Sequence, residues 1–401
     1  MVFMEKPEVI RKFLEKGCQL DSESLNFFYQ SQGKINHFLT KIEKLAEKPT
    51  TVTFDLVKKL LEIKEKEYDV EVIKKVSNWK GVAAVGDLID FLLRRYESMK
   101  RFLVNRLDLI NPISINKITQ KTRKFSLIAM VKEKNEDEKS LIVEDTTGEL
   151  TVFFDEKVKD SYDDLVLDEV LGLVCEKENG TVKVKDLLFP DIPLKREINK
   201  TKEDVFCLFV SDLHMDSDDF LRDSYEKFLS WVKKTDYEKF YIFVLGDVSK
   251  EEEDIKNFFG SLPDNSFKIF LKGAVDPDIQ IGDLTLRDPS MLKIENVICL
   301  VCHGDFFHPY QTIWKNKTAE NILLNLLKKR HINPVFSNRI YEKDPFLLDL
   351  VPDIFVSGFF HYPSAMNYKG TTIITTGSFV SEPIFWLINL RTREIIKLNF
   401  T

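Results

Sequence analysis

The sequence predicts a multidomain α+β protein with three consecutive parts: a helical N-terminal region over residues 1–105, a small β-barrel over 110–195, and an α/β sandwich over 204–401. Three observations predict it. Apolar residues recur first at helical spacing, then in short alternating runs punctuated by Thr147-Gly148 and Asn179-Gly180, and last as continuous apolar runs followed by amphipathic segments. Several of those last runs end in aspartate or histidine.

A chain of 401 residues, 43% hydrophobic and 31% charged, has the composition of an ordinary globular protein with room for two or three cores. Its start, MVFMEKPEVIRKF, interleaves acids and bases and carries no apolar stretch of signal-peptide or membrane-spanning length. A cytoplasmic protein with no membrane partner is expected. The formal net charge of −7 is the wrong sign for gripping nucleic acid through phosphate neutralisation alone. Any contact with DNA would have to be local or made through a partner.

In the helical region, PEVIRKFLEKGCQLDSESLNFF reads as a helix, a glycine turn and a second helix capped by Asp21 or Ser22. Further on, Leu88, Leu92, Tyr96, Met99 and Leu103 mark one apolar helix face, with Asp87 as its expected N-cap after Gly81 and Gly86. No chemistry is assigned here. From Asn111 to Pro193 the pattern becomes strands: FSLIAMVKEK, KSLIVEDTTGELTVFF and DEVLGLVCEKENGTVKVKDLLFPDIP. Short antiparallel strands around one acidic connection suggest a Greek-key barrel of the oligonucleotide-binding type. Its single weakly basic patch, KTRK at 121–124, favours docking a protein over holding a strand.

The sandwich opens with VFCLFVSD, SYEKFLSWVKK, FYIFVLGD, EEEDIKNFFGSL and FKIFLKG, alternating strand and helix. In such folds ligands sit beyond the carboxyl ends of the strands. Asp212 and His214 follow the first strand as D-x-H, Asp247 follows the next as G-D, and His361 closes DIFVSGFFH. The segment VICLVCHGDFF presents His303 with two cysteines and admits three readings: haem attachment, a redox pair, or a metal ligand at a strand end. Haem attachment needs an exported chain, and five scattered cysteines give no disulfide framework, so Cys299 and Cys302 read as small apolar filler in a buried strand. A carboxylate and imidazoles delivered by successive strand ends suit a borderline divalent ion such as Mn²⁺, Zn²⁺ or Fe²⁺ and phosphoester hydrolysis.

The order D-x-H, G-D, H-G, G-x-x-H resembles the calcineurin-like metallophosphoesterases, which hold two metals. On that resemblance Asp212, His214 and His361 bind the first ion, Asp247 bridges, and His303 reaches toward the second. The departures are specific. Lys250 stands where the family has its outer acid; Ala274 and Val275 replace the asparagine ligand and the general-acid histidine; Phe359 replaces a further ligand. Asp276, Asp278 and His308 are the neighbours able to substitute. Losing the general acid alone is expected to cost roughly 10²- to 10⁴-fold in rate.

Beyond these motifs, FLLRRYESMKRFL, LLFPDIP, SDLHMDSDDFL, LLKKRHINPVF and VPDIFVSGFFHYPSAMNYKGTTIITTGSFV together look like the small subunits of the archaeal D-family DNA polymerases. The resemblance implies docking to a large catalytic polymerase subunit as a heterodimer, contact with DNA within that holoenzyme, Mn²⁺ as the metal, one ion or none, and a nucleoid-associated location. It also implies a 3′–5′ exonuclease-type site whose activity here is weak or lost. Two alternatives stay open: an active Mn²⁺-dependent proofreading subunit, and a free-standing metallophosphoesterase.

Overall fold

The computed structural model describes residues 5–30, 32–45, 47–61, 67–82 and 84–401, and divides into two units, Met1–Glu67 and Tyr68–Thr401. In the first, helices Lys6–Leu14, Ser22–Gln30, Ile35–Glu43 and Phe54–Leu61 bury Val9, Phe13, Phe28, Phe38, Ile42 and Val57. Strands Gln19–Leu20 and Thr51–Val52 pair in parallel beside them. Of the two expected caps, Asp21 serves: its Oδ1 accepts the Ser24 N–H at 2.7 Å and its Oδ2 accepts the Phe54 N–H at 3.2 Å. One carboxylate therefore starts two helices.

The first unit ends at Glu67, short of residue 105, and two pieces of the segment read as helical are strands. Val70–Lys75 pairs antiparallel with Ser290–Ile294, and Trp79–Gly81 pairs with Arg339–Tyr341. The reason is tertiary: short runs take the state that a distant edge offers them, β-branched residues helping in Val70–Lys75. The helix that follows, Val85–Val104, starts earlier than expected, with Ala84 rather than Asp87 at its N-cap and Asp87 in its first turn. Its face is as anticipated, burying Tyr96, Met99 and Leu103, and the Tyr96 hydroxyl donates to the Ile128 carbonyl at 3.0 Å.

Five strands close a barrel in the order Lys124–Asn135, Ser140–Asp145, Gly148–Phe154, Thr181–Leu188, Val170–Glu178. Both hairpin signals turn where they were read, with Asn179 at φ 50° and Gly180 at φ 85° in the second. Alternation puts Leu127, Ala129, Val131, Leu141, Val143, Leu171 and Leu173 inside.

The remaining strands form two six-stranded sheets, face to face. The first runs Leu284–Leu286, Phe267–Leu271, Lys239–Val244, Val205–Val210, Ile384–Asn389, Ile395–Asn399; the second runs Ser364–Tyr368, Thr371–Thr375, Ile354–Ser357, Val297–Cys302, Ser290–Ile294, Val70–Lys75. Cys207, Phe209, Tyr241 and Phe243 from one meet Cys299, Val301, Val356 and Ile374 from the other in a single core. Helices Arg222–Lys234 and Glu252–Ser261 cover the first sheet's outer face, and Ala319–Lys328 covers the second's. Cys299 and Cys302 are free and buried, as expected of filler, and burial pushes the Cys299 thiol up to about 12.

A buried cluster ties the helix Val85–Val104 to the loop that precedes the strand Ile354–Ser357. Asp344 accepts from Arg95 Nε at 3.1 Å and from His331 Nε2 at 3.0 Å, while His331 Nδ1 accepts the Asn333 N–H at 3.2 Å. Neutral imidazole is thus fully satisfied, and a second ring proton would displace the Asn333 bond. Burial and the Arg95 charge together depress His331 to about 4. A depressed folded value means stability held above the unfolded value near 6.5 and lost as pH falls toward 4. In urea titrations the wild-type chain is expected to lose about 3 kcal/mol relative to a His331→Gln variant over that interval, the difference between the two isolating this imidazole from other groups that titrate there.

Candidate metal centre

Four strands deliver the centre, each from its carboxyl end: Val205–Val210 leads to Asp212 and His214, Lys239–Val244 to Asp247, Val297–Cys302 to His303, and Ile354–Ser357 to His361. All five side chains predicted from sequence meet there. Among the described residues two groups have metal-ligand spacing: Asp212, His214 and His361, and Asp212, Asp247 and His303. The carboxylate common to both is Asp212, whereas the resemblance assigned the bridge to Asp247.

Asp212 Oδ1 lies 3.1 Å from His361 Nε2, 3.7 Å from His214 Nε2 and 4.0 Å from His303 Nδ1. Asp247 Oδ2 is 3.3 Å from His303 Nε2. Burial would raise the Asp212 carboxyl, but the imidazoles of His303, His214 and His361 outweigh it and hold it well below the usual range. Asp247 is likewise lowered, the His303 hydrogen bond and charge overcoming burial. Burial works against a charge on His303, yet Asp212, Asp247 and Asp305 push its value well above normal. His214 moves the same way through Asp212.

The backbone is bent to the purpose. Asp212, His214, Asp247 and His361 all sit at positive φ, at 54°, 46°, 52° and 59°. Such left-handed residues cost of order 1 kcal/mol or more each and persist where surrounding bonds fix them. Here the Asp212 N–H donates to the Gly246 carbonyl at 3.0 Å, the His214 N–H to the Asp247 carbonyl at 3.0 Å, and the Phe379 N–H to the Asp212 carbonyl at 3.1 Å. Two glycines permit the approach: a Cβ on Gly273 would fall 2.3 Å from Asp247 Oδ1, and one on Gly358 would fall 3.0 Å from Asp212 Oδ2.

The residues present fit a cation. Asp212 is fully buried, and its Oδ2 has no hydrogen-bond partner, a costly state for an ionised oxygen unless an ion completes it. His303 is oriented as a ligand: its Nδ1 lies 2.9 Å from the Leu245 carbonyl, which can only accept, so Nδ1 carries a hydrogen. Nε2, whose proton goes to Asp247 at 3.3 Å when no ion is bound, is the nitrogen that an ion would take in place of that proton.

The second position is thinner. Val275 offers only its backbone N–H, given to Asp247 Oδ1 at 3.1 Å, and Phe359 offers a ring 6.3 Å from that of His303. Of the possible substitutes, Asp276 is committed elsewhere. Its two oxygens accept the N–H groups of Asp247, Val248, Ser249 and Gly273 at 2.7–3.3 Å. Asp278 pairs with Lys272 at 3.6 Å, and His308 is exposed at the start of a short helix. Lys250, in the outer-acid position, pairs with Asp216 at 3.2 Å. Sequence reasoning missed two acids. Asp305 lies two residues past His303 and 3.4 Å from its Nε2, and Asp288 accepts the N–H groups of His303 and Gly304 at 3.1 and 2.8 Å. Asp305 was legible in the run HGD; Asp288 carries no local signal.

A two-sheet sandwich gathering these side chains at its strand ends is the arrangement that the resemblance to calcineurin-like metallophosphoesterases implied. No family profile matches the chain. The chain is a homologue of archaeal proteins named DNA polymerase II small subunit. That of Methanothermobacter thermautotrophicus is 24% identical, the alignment covering 94% of each chain. That of Archaeoglobus fulgidus is 24% identical over 94% of this chain and 92% of its own. Solved structures similar to it include an archaeal phosphodiesterase, 13% identical, covering 49% of this chain and 99% of its own with a TM-score of 0.32. Another is Vps29 of Entamoeba histolytica complexed with zinc, 13% identical, covering 49% and 100% with a TM-score of 0.28.

Proposed function

We propose that this chain is the non-polymerising small subunit of an archaeal D-family DNA polymerase, acting chiefly to dock and stabilise the large catalytic subunit. Its helical region, barrel and phosphoesterase domain serve that assembly in the cytoplasm, at the nucleoid, with DNA reached inside the holoenzyme. Similarity to small subunits over nearly the whole chain supports the partner. The row Val85, Ile89 and Leu93, spaced four apart and exposed on one helix, offers apolar surface of the kind a protein partner covers.

The observation that carries the catalytic half of the reading is the fate of Asp276: the acid that follows the lost ligand and general-acid positions in sequence is consumed by four backbone N–H groups. One ion, Mn²⁺ on this reading, would be held by Asp212, His214 and His361, with Asp247 and His303 beside it. When bound it would polarise a phosphodiester. The chain's own part is to orient: Leu245 fixes the His303 ring, and Val275 holds one oxygen of Asp247. With valine in place of the general acid, no side chain at position 275 can protonate a leaving group. Hydrolysis is therefore weak or absent. The alternative, an active Mn²⁺-dependent 3′–5′ proofreading subunit, is favoured by one feature: the orphaned Asp212 oxygen and four left-handed ligand residues are costs retained.

Two measurements test this. Manganese titration calorimetry should find one site, lost in Asp212→Asn; two tight sites would overturn the single-ion reading. The purified chain, alone and with its large subunit, should degrade a mismatched 3′ end no faster than Asp212→Ala. Clear Mn²⁺-dependent cleavage would install the alternative, and failure to co-purify with a large subunit would leave the free-standing phosphoesterase.

A further inference from the structure

A cavity of about 560 Å³ is walled by helix Val85–Val104, strands Val70–Lys75 and Ser290–Ile294 and the segment 342–350, and none of the five side chains of the centre lines it. Phe91, Met291 and Leu347 give it buried apolar surface, and Leu350, 44% exposed, adds to that. The volume falls within the ~300–1,000 Å³ of pockets that take small molecules, whose walls are mostly apolar with a few placed polar groups.

Five cationic and three acidic side chains line it, which leaves two positive charges. In a chain of net charge −7 that surplus is local. The acids are mostly committed. Asp344 accepts from Arg95 at 3.1 Å and from His331 at 3.0 Å. Asp349 lies 3.9 Å from the Lys74 ammonium, past hydrogen-bond length, and that ammonium donates to the Leu347 carbonyl at 2.6 Å with protons to spare. Arg94, Arg101 and Lys343 are exposed, and among the described residues none has a carboxylate within ion-pair reach; Glu342 is the one lining acid without a cation. The helix sets the spacing of the free arginines. Arg94, Ser98 and Arg101 stand four and three residues apart on one face, each Cβ about 5–6 Å from the next. The Ser98 hydroxyl is already 3.4 Å from the Arg101 guanidinium. Two guanidinium forks flanking a hydroxyl suit the several oxygens of a phosphate, and a phosphate monoester, at about −1.5 to −2 near pH 7, matches the surplus.

We propose that this cavity binds a small organic phosphate monoester, its phosphate held by Arg94 and Arg101 and its apolar body against Met291, Leu347 and Leu350. Lys74 and Lys343 add to the attraction, and Glu342 opposes it. The site is separate from the metal centre and needs neither hydrolysis nor a large subunit.

Titration calorimetry of the full chain with phenyl phosphate, in EDTA at low salt, tests it; inorganic phosphate lacks the apolar body and benzyl alcohol lacks the charge. Wild type should bind one phenyl phosphate at least about 10-fold more tightly than inorganic phosphate and should ignore benzyl alcohol. Arg94→Gln/Arg101→Gln should bind at least about 10-fold more weakly, and Glu342→Gln about 2- to 3-fold more tightly. Both arginines are exposed and unpaired, so the double variant should keep its thermal transition; if it does not, the gain in Glu342→Gln carries the test. Asp212→Ala should bind as wild type does, so that failure of the hydrolytic reading leaves this one standing. No binding by wild type, equal affinity for phenyl and inorganic phosphate, undiminished binding by the double variant, or loss in Asp212→Ala would each overturn it. A phosphoserine peptide bound at least about 10-fold more tightly than phenyl phosphate would overturn the small-molecule assignment and make the cavity a seat for a modified protein.

Discussion

Lys329→Met should destabilise the Tyr68–Thr401 unit by about 3–5 kcal/mol, read as a shift in the denaturation midpoint. Lys329 and Glu169 are each about 2% exposed and pair at 2.6 Å, joining the helix on the second sheet to the barrel. Burial raises the Glu169 carboxyl and depresses the Lys329 ammonium, so each needs the other to remain charged. Glu169 also accepts the Val166 N–H at 2.6 Å, and the ammonium lies 4.3 Å over the Phe189 ring. Methionine fills the lysine's space but leaves a carboxylate without its counter-charge in an apolar seam. Glu169→Leu/Lys329→Met should recover most of the loss, because an apolar pair of similar volume costs no desolvation. If the single and double variants were equally destabilised, packing rather than charge would hold this joint.

What the sequence disclosed, and what it withheld, divides along the distance over which each residue acts. Asp212, His214, Asp247, His303 and His361 were legible because each is punctuation at the end of an apolar strand, a local pattern. Their convergence follows from parallel strands sharing one carboxyl edge. The hairpins at Gly148 and Asn179-Gly180 were equally local. By contrast, Val70–Lys75 is a strand only because Ser290–Ile294 offers an edge more than 200 residues away, and nothing in EVIKK says so. Glu169 and Lys329 stand 160 residues apart and read separately as ordinary surface charges. The start at Ala84 rather than Asp87 shows the same limit on a small scale, since a good capping residue was passed over when the chain's path put the turn elsewhere.

Asp276→Ala is expected to unmake the centre without removing a ligand. In the sequence Asp276 is one acid in GAVDPD, and proximity to the family's ligand motif made it a candidate metal ligand. In the folded chain it acts as a clamp, its carboxylate gathering the N–H groups of Gly273 and of Asp247, Val248 and Ser249, as far as 29 residues away in sequence. Those bonds hold Asp247 at φ 52° and so aim its carboxylate at His303. Alanine would leave four buried donors unpaired; at about 1–3 kcal/mol each, partly relieved by entering water, the loss should reach several kcal/mol. Asp276→Asn keeps one carbonyl oxygen and should fall between. Manganese titration beside the denaturation curve separates the two roles. A clamp predicts that stability and metal affinity fall together in both variants, whereas Asp247→Ala loses affinity at little cost in stability. A ligand predicts the reverse for Asp276→Asn, with binding lost and the fold intact, and that outcome would restore the second metal position and the hydrolytic capacity that goes with it.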